Sequence, residues 1–158
     1  SISGAVNFLE TQYPNLQGVV IKSSNPSVFS AGLDLMELHN PDRERLSKFW
    51  ISFQNVFVSL YGTRLATVAA IEGHATAGGC MLALCCDYRV MVSSTSYKSA
   101  KQVPRIGLNE TLLGMAAPQW MIDQMIRTVG FREAELALSK GSLYTPEHAF
   151  DVGLVDSL

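Results

Sequence analysis

Residues 66–71 (Ala-Thr-Val-Ala-Ala-Ile) run almost directly into Gly73-His74-Ala75-Thr76-Ala77-Gly78-Gly79, and this junction constrains the fold more than any other segment. A short run with little polarity on either face must be covered on both sides, which is the pattern of a strand buried inside a sheet. The glycines that follow permit close backbone approach. A helix beginning within them would continue through Cys80-Met81-Leu82-Ala83-Leu84. Paired glycines at a helix start leave several N–H groups unpaired, an arrangement that suits an anion or a developing negative charge. The segment is neither a Gly-x-Gly-x-x-Gly dinucleotide fingerprint nor a P-loop, because no Gly-Lys-Ser/Thr follows.

The remainder of the chain reads as strands alternating with helices. Residues 4–12 predict a helix, Gly18–Ile21 a buried strand, and Ser23–Ser27 a loop of turn formers. Asn40-Pro41-Asp42 predicts a helix start, with Asn40 as N-cap and Pro41 as its first residue. Leu46, Phe49, Trp50, Phe53, Phe57 and Leu60 then fall at three- and four-residue spacing on one face, and Gly62 marks the end. A third strand is expected at Tyr88–Val92, and helices at Pro118–Thr128 and Arg132–Ser139 on either side of Gly130. Thr145-Pro146-Glu147 opens a short last helix, and Leu154–Asp156 a strand. The expected class is α/β, in a single domain over 1–158 without repeats or linkers.

Composition narrows the partners. With 47% apolar and 16% charged residues and a formal net charge of −2, the chain has a globular balance and no basic footprint for nucleic acid. No apolar run approaches the roughly 20 residues needed to span a bilayer, so a soluble protein without membrane contacts is expected. Cys80, Cys85 and Cys86 lie in one apolar stretch with neither Cys-x-x-Cys nor histidine at zinc spacing, so they read as reduced core residues with no metal. The first residues show neither a signal-peptide nor a transit-peptide pattern.

Two further segments are candidates for chemistry. Phe29-Ser30-Ala31-Gly32-Leu33-Asp34-Leu35 is a small-residue turn whose backbone N–H groups have room to face a ligand; taken alone, it reads first as a tight turn before a helix. Glu110 stands in the apolar run 106–115, where a carboxylate is costly to bury unless it is paired or functional. Set against Leu108, Leu112 and Leu113, its pKa would rise toward the range of a general base at neutral pH. A solvent-facing glutamate at a helix start is the plain alternative. His74 reads as a structural loop residue, His39 and His148 as exposed, and Asp34 as bonded to local backbone. Trp50, Phe53, Phe57, Trp120 and the methionines of 115–125 read first as packing.

Taken in order, Ser-Ala-Gly-Leu-Asp-Leu, Ile-Glu-Gly-His-Ala-Thr-Ala-Gly-Gly-Cys, Cys-Asp-Tyr-Arg and Gly-Leu-Asn-Glu-Thr-Leu-Leu-Gly resemble the crotonase superfamily over nearly the whole chain. The resemblance implies a ββα-spiral fold that binds acyl-CoA thioesters, needs no cofactor beyond the CoA of its substrate, and assembles as a homotrimer. By matching position, the N–H groups of Ala31 and Gly78 would hold the thioester oxygen, and Ala31, Gly32, Leu33, Asp34 and Leu35 would meet the CoA portion. Asn109 would line the acyl pocket, and Glu110 would be the catalytic acid–base. Hydratases of the family carry a further glutamate directly after Gly-Gly-Cys, where this chain has Met81. The stretch around Glu110 is more similar to the family's mitochondrial 3,2-enoyl-CoA isomerases. The expectation is therefore a one-carboxylate 1,3-proton shift in fatty acid β-oxidation, in the mitochondrial matrix or alternatively the peroxisome.

Against the family pattern, the chain is expected to lack the first strand and the C-terminal helical segment, leaving an unpaired edge and exposed apolar surface. Residues 97–105 are longer than the isomerase pattern and read as a basic surface loop ahead of Glu110. Hydration, thioester hydrolysis, and an inactive CoA-binding scaffold stay open as alternatives.

Overall fold

A computed structural model describes residues 1–158. Two three-stranded parallel sheets form its centre, with strand orders β1-β3-β5 and β2-β4-β6. The strands are β1 (Gly18–Lys22), β2 (Val28–Ser30), β3 (Ala66–Ile71), β4 (His74–Thr76), β5 (Tyr88–Met91) and β6 (Ile106–Gly107). Each turn of the chain lays one strand in the first sheet and the next in the second. Helices α2 (Arg43–Tyr61) and α3 (Gly78–Leu84) close the first two turns. This repeating ββα path is the crotonase-like fold.

The longer elements form where their side-chain pattern demands burial. In β3, Thr67, Ala69 and Ile71 are all but fully buried, at 1%, 0% and 1% exposure. Helix α1 (Ile2–Gln12) is capped by Ser1 and packs against α2, burying Val6. In α2, Leu60 is buried, Phe53, Val56 and Phe57 pack against the core, and Gly62 is the C-cap. Helices α4 (Gln119–Val129), α5 (Phe131–Lys140) and α6 (Pro146–Asp151) follow, with Thr145 accepting from the His148 N–H at the start of α6. The core cluster of 23 buried side chains includes Cys80, Cys85 and Cys86, all free thiols.

Three expectations need correction. The second-sheet strands β2, β4 and β6 were not anticipated: β4 occupies residues expected to be loop or helix start, and α3 begins only at Gly78. At two or three residues each, these strands are too short for a side-chain period to register. The N-cap of α2 is Asp42, whose carboxylate accepts from the Arg45 N–H, while Asn40 adopts a left-handed conformation (φ 45°) that asparagine tolerates. Residues 154–156 form no strand; the chain end meets β5 in one isolated β-bridge, between Val90 and Ser157, and through the pairing of Asp156 with Arg89.

Residues 97–105 do lie largely on the surface, with one short 3₁₀ turn at Ala100–Gln102. Strand β1 is an edge of its sheet, and Val20 on it is 60% exposed. No helix is long and apolar enough to cross a membrane.

Candidate active site

At the C-terminal ends of β2, β4 and β6 the chain leaves the second sheet in three loops that meet. The first is Ala31–Leu35. The second passes from Thr76 into α3, and the third carries Asn109 and Glu110. Their meeting depends on glycine. The Gly32 and Gly78 backbones are so close that a Cβ on Gly32 would stand 2.7 Å from the Gly78 nitrogen. A Cβ on Gly79 would stand 1.9 Å from the Ser30 carbonyl oxygen, so no side chain fits there. Immediately before Gly78, Ala77 takes φ 50° and ψ −123°, a sparsely populated conformation for a residue with a Cβ. Its N–H donates to the Gly107 carbonyl at 2.9 Å, which ties the turn to β6. As the first residue of α3, Gly78 has an N–H with no acceptor within the helix.

These loops enclose a cavity of ≈160 Å³ lined by 16 residues, of which 11 are hydrophobic. Ala31, Leu33, Leu35, Gly78, Asn109 and Glu110 all line it. Asp34 does not; its carboxylate accepts from the Met36 N–H and caps a 3₁₀ turn. Gly32 contributes by backbone packing on Gly78. Glu110 is the one carboxylate in the lining. Its Oε2 and the Oδ1 of Asn109 are both buried without a hydrogen-bond partner, an unusual pair of free acceptors. Burial pushes the Glu110 carboxyl above its ordinary pKa, with its own backbone N–H partly opposing the rise.

The surroundings of Glu110 differ from those expected. Leu108 is buried at 2%, but Leu112 is 63% exposed and lies beside Gly141. Leu113 lines the cavity while remaining half exposed. The apolar environment comes instead from other elements: Trp50 and Phe53 on α2, Met115 in the loop before α4, and Met121 on α4. Trp50, Phe53, Met115 and Met121 therefore do more than pack. The helical spacing of Trp50 and Phe53 was visible in the sequence, but nothing local told a cavity-facing aromatic from a core one. Trp120 lies behind Phe53, with ring centroids 5.3 Å apart. Met81 is buried in the core at 1% exposure and contributes no polar group.

The remaining candidates are structural. His74 Nδ1 accepts from the Arg105 N–H at 3.1 Å, linking β4 to the residues before β6. His39 and His148 are exposed, and no residue of 97–105 lines the cavity. The Cys86-Asp87-Tyr88-Arg89 segment also lies away from it. Asp87 accepts from the N–H and hydroxyl of Thr67, and Arg89 pairs with Asp156 at 2.7 Å.

The mouse mitochondrial enoyl-CoA delta isomerase 1 is 44% identical over 144 residues, covering 91% of this chain and 47% of the mouse protein. The alpha subunit of the fatty acid oxidation complex of a Psychrobacter species is 32% identical over 157 residues, 98% of this chain and 20% of that one. The crystal structure of human mitochondrial delta3-delta2-enoyl-CoA isomerase superposes with a TM-score of 0.87 at 40% identity, over 99% of this chain and 58% of the human one. The chain thus spans about half the length of its mouse relative. The enoyl-CoA hydratase/isomerase family profile matches residues 5–158, and the chain belongs to that family.

Proposed function

We propose that this chain is the catalytic core of a mitochondrial enoyl-CoA isomerase of fatty acid β-oxidation, moving the double bond of a 3-enoyl-CoA to the 2-trans position. One observation carries the reading: a single carboxylate, that of Glu110, lines a largely apolar cavity together with Ala31 and Gly78, and its Oε2 is buried there. A thioester α-proton is too weakly acidic for a carboxylate to remove unless the resulting enolate is stabilised. In this reading the N–H groups of Ala31 and Gly78 donate to the thioester oxygen, and each such donor typically lowers the barrier by about 3 kcal/mol. Glu110 takes the proton from C2 and returns it at C4, while the charge of the dienolate rests on the held oxygen. The raised pKa of Glu110 suits a group that must both accept and release a proton near neutral pH.

The acyl chain would lie along Leu33, Phe53 and Met121, with Asn109 beside the reacting carbons, and the Ala31–Leu35 loop would carry the CoA portion. Addition of water calls for a second carboxylate to position it, and the apolar Met81 speaks for isomerisation. The sequences of the mouse and human relatives, both named as isomerases, support the same choice.

The test is turnover of a 3-enoyl-CoA by the chain and by Glu110→Gln, followed through appearance of the conjugated 2-enoyl thioester. Activity is expected in the first and a loss of at least about 100-fold in the second, the scale on which removal of a general base is felt. Equal rates would remove Glu110 from the mechanism. Formation of a 3-hydroxyacyl-CoA from a 2-enoyl-CoA at a comparable rate would replace isomerisation with hydration.

A further inference from the structure

Phe53 projects from α2 over the loop junction, and its Cζ lies 3.5 Å from the point where a Cβ would stand on Gly78. The ring is held between two others, with centroids 5.7 Å from Trp50 and 5.3 Å from Trp120. In the same cavity, Glu110 Oε2 exposes less than 1 Å² and has no hydrogen-bond partner. No other charged side chain lines the space. From α3, the nearby Cys80 thiol is fully buried, and that burial keeps it protonated. An unpartnered carboxylate oxygen and a fixed aromatic ring set over the glycine junction thus share a largely apolar cavity, whose other polar side chains are Thr76 and Asn109.

We propose that Phe53 is the water seal of this cavity, keeping the proton carried by Glu110 from exchanging with solvent. The inference rests on the reading of Glu110 as the base of the isomerisation. In that reaction the C2–H bond breaks, its proton passes to the Glu110 carboxylate, and its electron pair enters the dienolate. The same proton then forms the new C4–H bond, and the double bond settles between C2 and C3. No water is consumed or released. A carboxylic acid in contact with water exchanges its proton with the bulk, whereas one enclosed by apolar side chains has no relay through which to do so. The seal therefore decides whether the new C4 hydrogen is the substrate's own or the solvent's. It also denies water access to C3 of the product, where addition would give a hydroxyacyl thioester.

The experiment is turnover of a 3-enoyl-CoA in D₂O by the unaltered chain, Phe53→Ala and Phe53→Leu, with deuterium at C4 of the product read by NMR. In parallel, the Glu110 carboxyl is titrated by ¹³C NMR in glutamate-labelled protein, its resonance assigned by its loss in Glu110→Gln. The unaltered chain should deliver mostly protium to C4. Phe53→Ala should raise C4 deuterium several-fold and move the Glu110 midpoint down toward the ordinary carboxylate range. Phe53→Leu, which keeps an apolar plug, should stay close to the unaltered chain. If the alanine variant fails to fold, Phe53→Val supplies the same comparison with less loss of packing. Equal deuterium in the unaltered and trimmed chains, with an unmoved midpoint, overturns the seal. Absence of turnover in the unaltered chain would end the isomerase reading. The Glu110 midpoint would then decide the seal alone: a fall in Phe53→Ala but not in Phe53→Leu supports it, and no fall overturns it.

Discussion

Ala77 carries a backbone conformation that glycine would adopt at less cost, flanked by the glycine pair that begins α3. Such a conformation costs about 1–3 kcal/mol and persists only where surrounding bonds over-determine it. Here the Gly107 carbonyl holds the Ala77 N–H, and the Ala77 carbonyl accepts from Met81. The direction of the following N–H, that of Gly78, is thereby set. Ala77→Gly should relieve the strain while loosening that direction. Allowing for the extra chain entropy of glycine, the net gain should be about 1 kcal/mol, a rise in melting temperature of about 2–4 °C. Turnover of a 3-enoyl-CoA by the same variant should fall, and a thermal melt beside the isomerase assay checks both signs. The sequence marks Gly78 and Gly79 as sites of close approach but is silent about Ala77. A strained alanine looks like any other alanine until the backbone around it is known.

At the scale of elements, the Cys86-Asp87-Tyr88-Arg89 segment turns out to be scaffold. Asp87 receives the N–H and hydroxyl of Thr67, and its own N–H donates back to the Thr67 hydroxyl, joining the start of β5 to β3. Arg89 is 8% exposed and reaches Asp156 with its side chain, while its backbone N–H donates to the same carboxylate. This pair pins the chain after α6 against β5. Asp156→Ala leaves the Arg89 charge buried without its carboxylate, and an unfolding cost of about 3 kcal/mol is expected. Urea titration of the two forms measures it. Element positions were largely legible: β3 and α4 to α6 fall within a residue or two of where apolar spacing, Gly130 and Thr145-Pro146 place them. The strands β2, β4 and β6 were not, because two or three residues carry no period, and such strands persist only through the neighbours that pair with them.

For the whole molecule, two carboxylates bend the pH dependence of stability in opposite directions. The Ser94 hydroxyl and N–H, with the Ser93 hydroxyl, bring Glu147 down to about 2 from an ordinary 4.5. The folded state therefore binds fewer protons there than the unfolded chain. This stability is fully present above pH 4.5 and is lost as the pH falls through about 2. Glu110 has the reverse sign: its pKa is raised, so stability is greatest below 4.5 and declines as the pH rises through the folded value. Unfolding midpoints across pH should show Glu147→Gln flattening the acid limb and Glu110→Gln removing the decline on the neutral side. The sequence by itself determined which segments are buried, where the chain turns, which backbone stretches admit close contact, and that Glu110 stands in an apolar run. Side-chain pattern and glycine content act locally, so these features need no partner. Tertiary structure decided that residues 31, 78 and 110 surround one cavity and that Phe53 rather than Leu112 lines it. Those contacts join loops at the ends of different parallel strands, and the crossovers that bring such strands together bury residues too far apart in the chain for any local pattern to record.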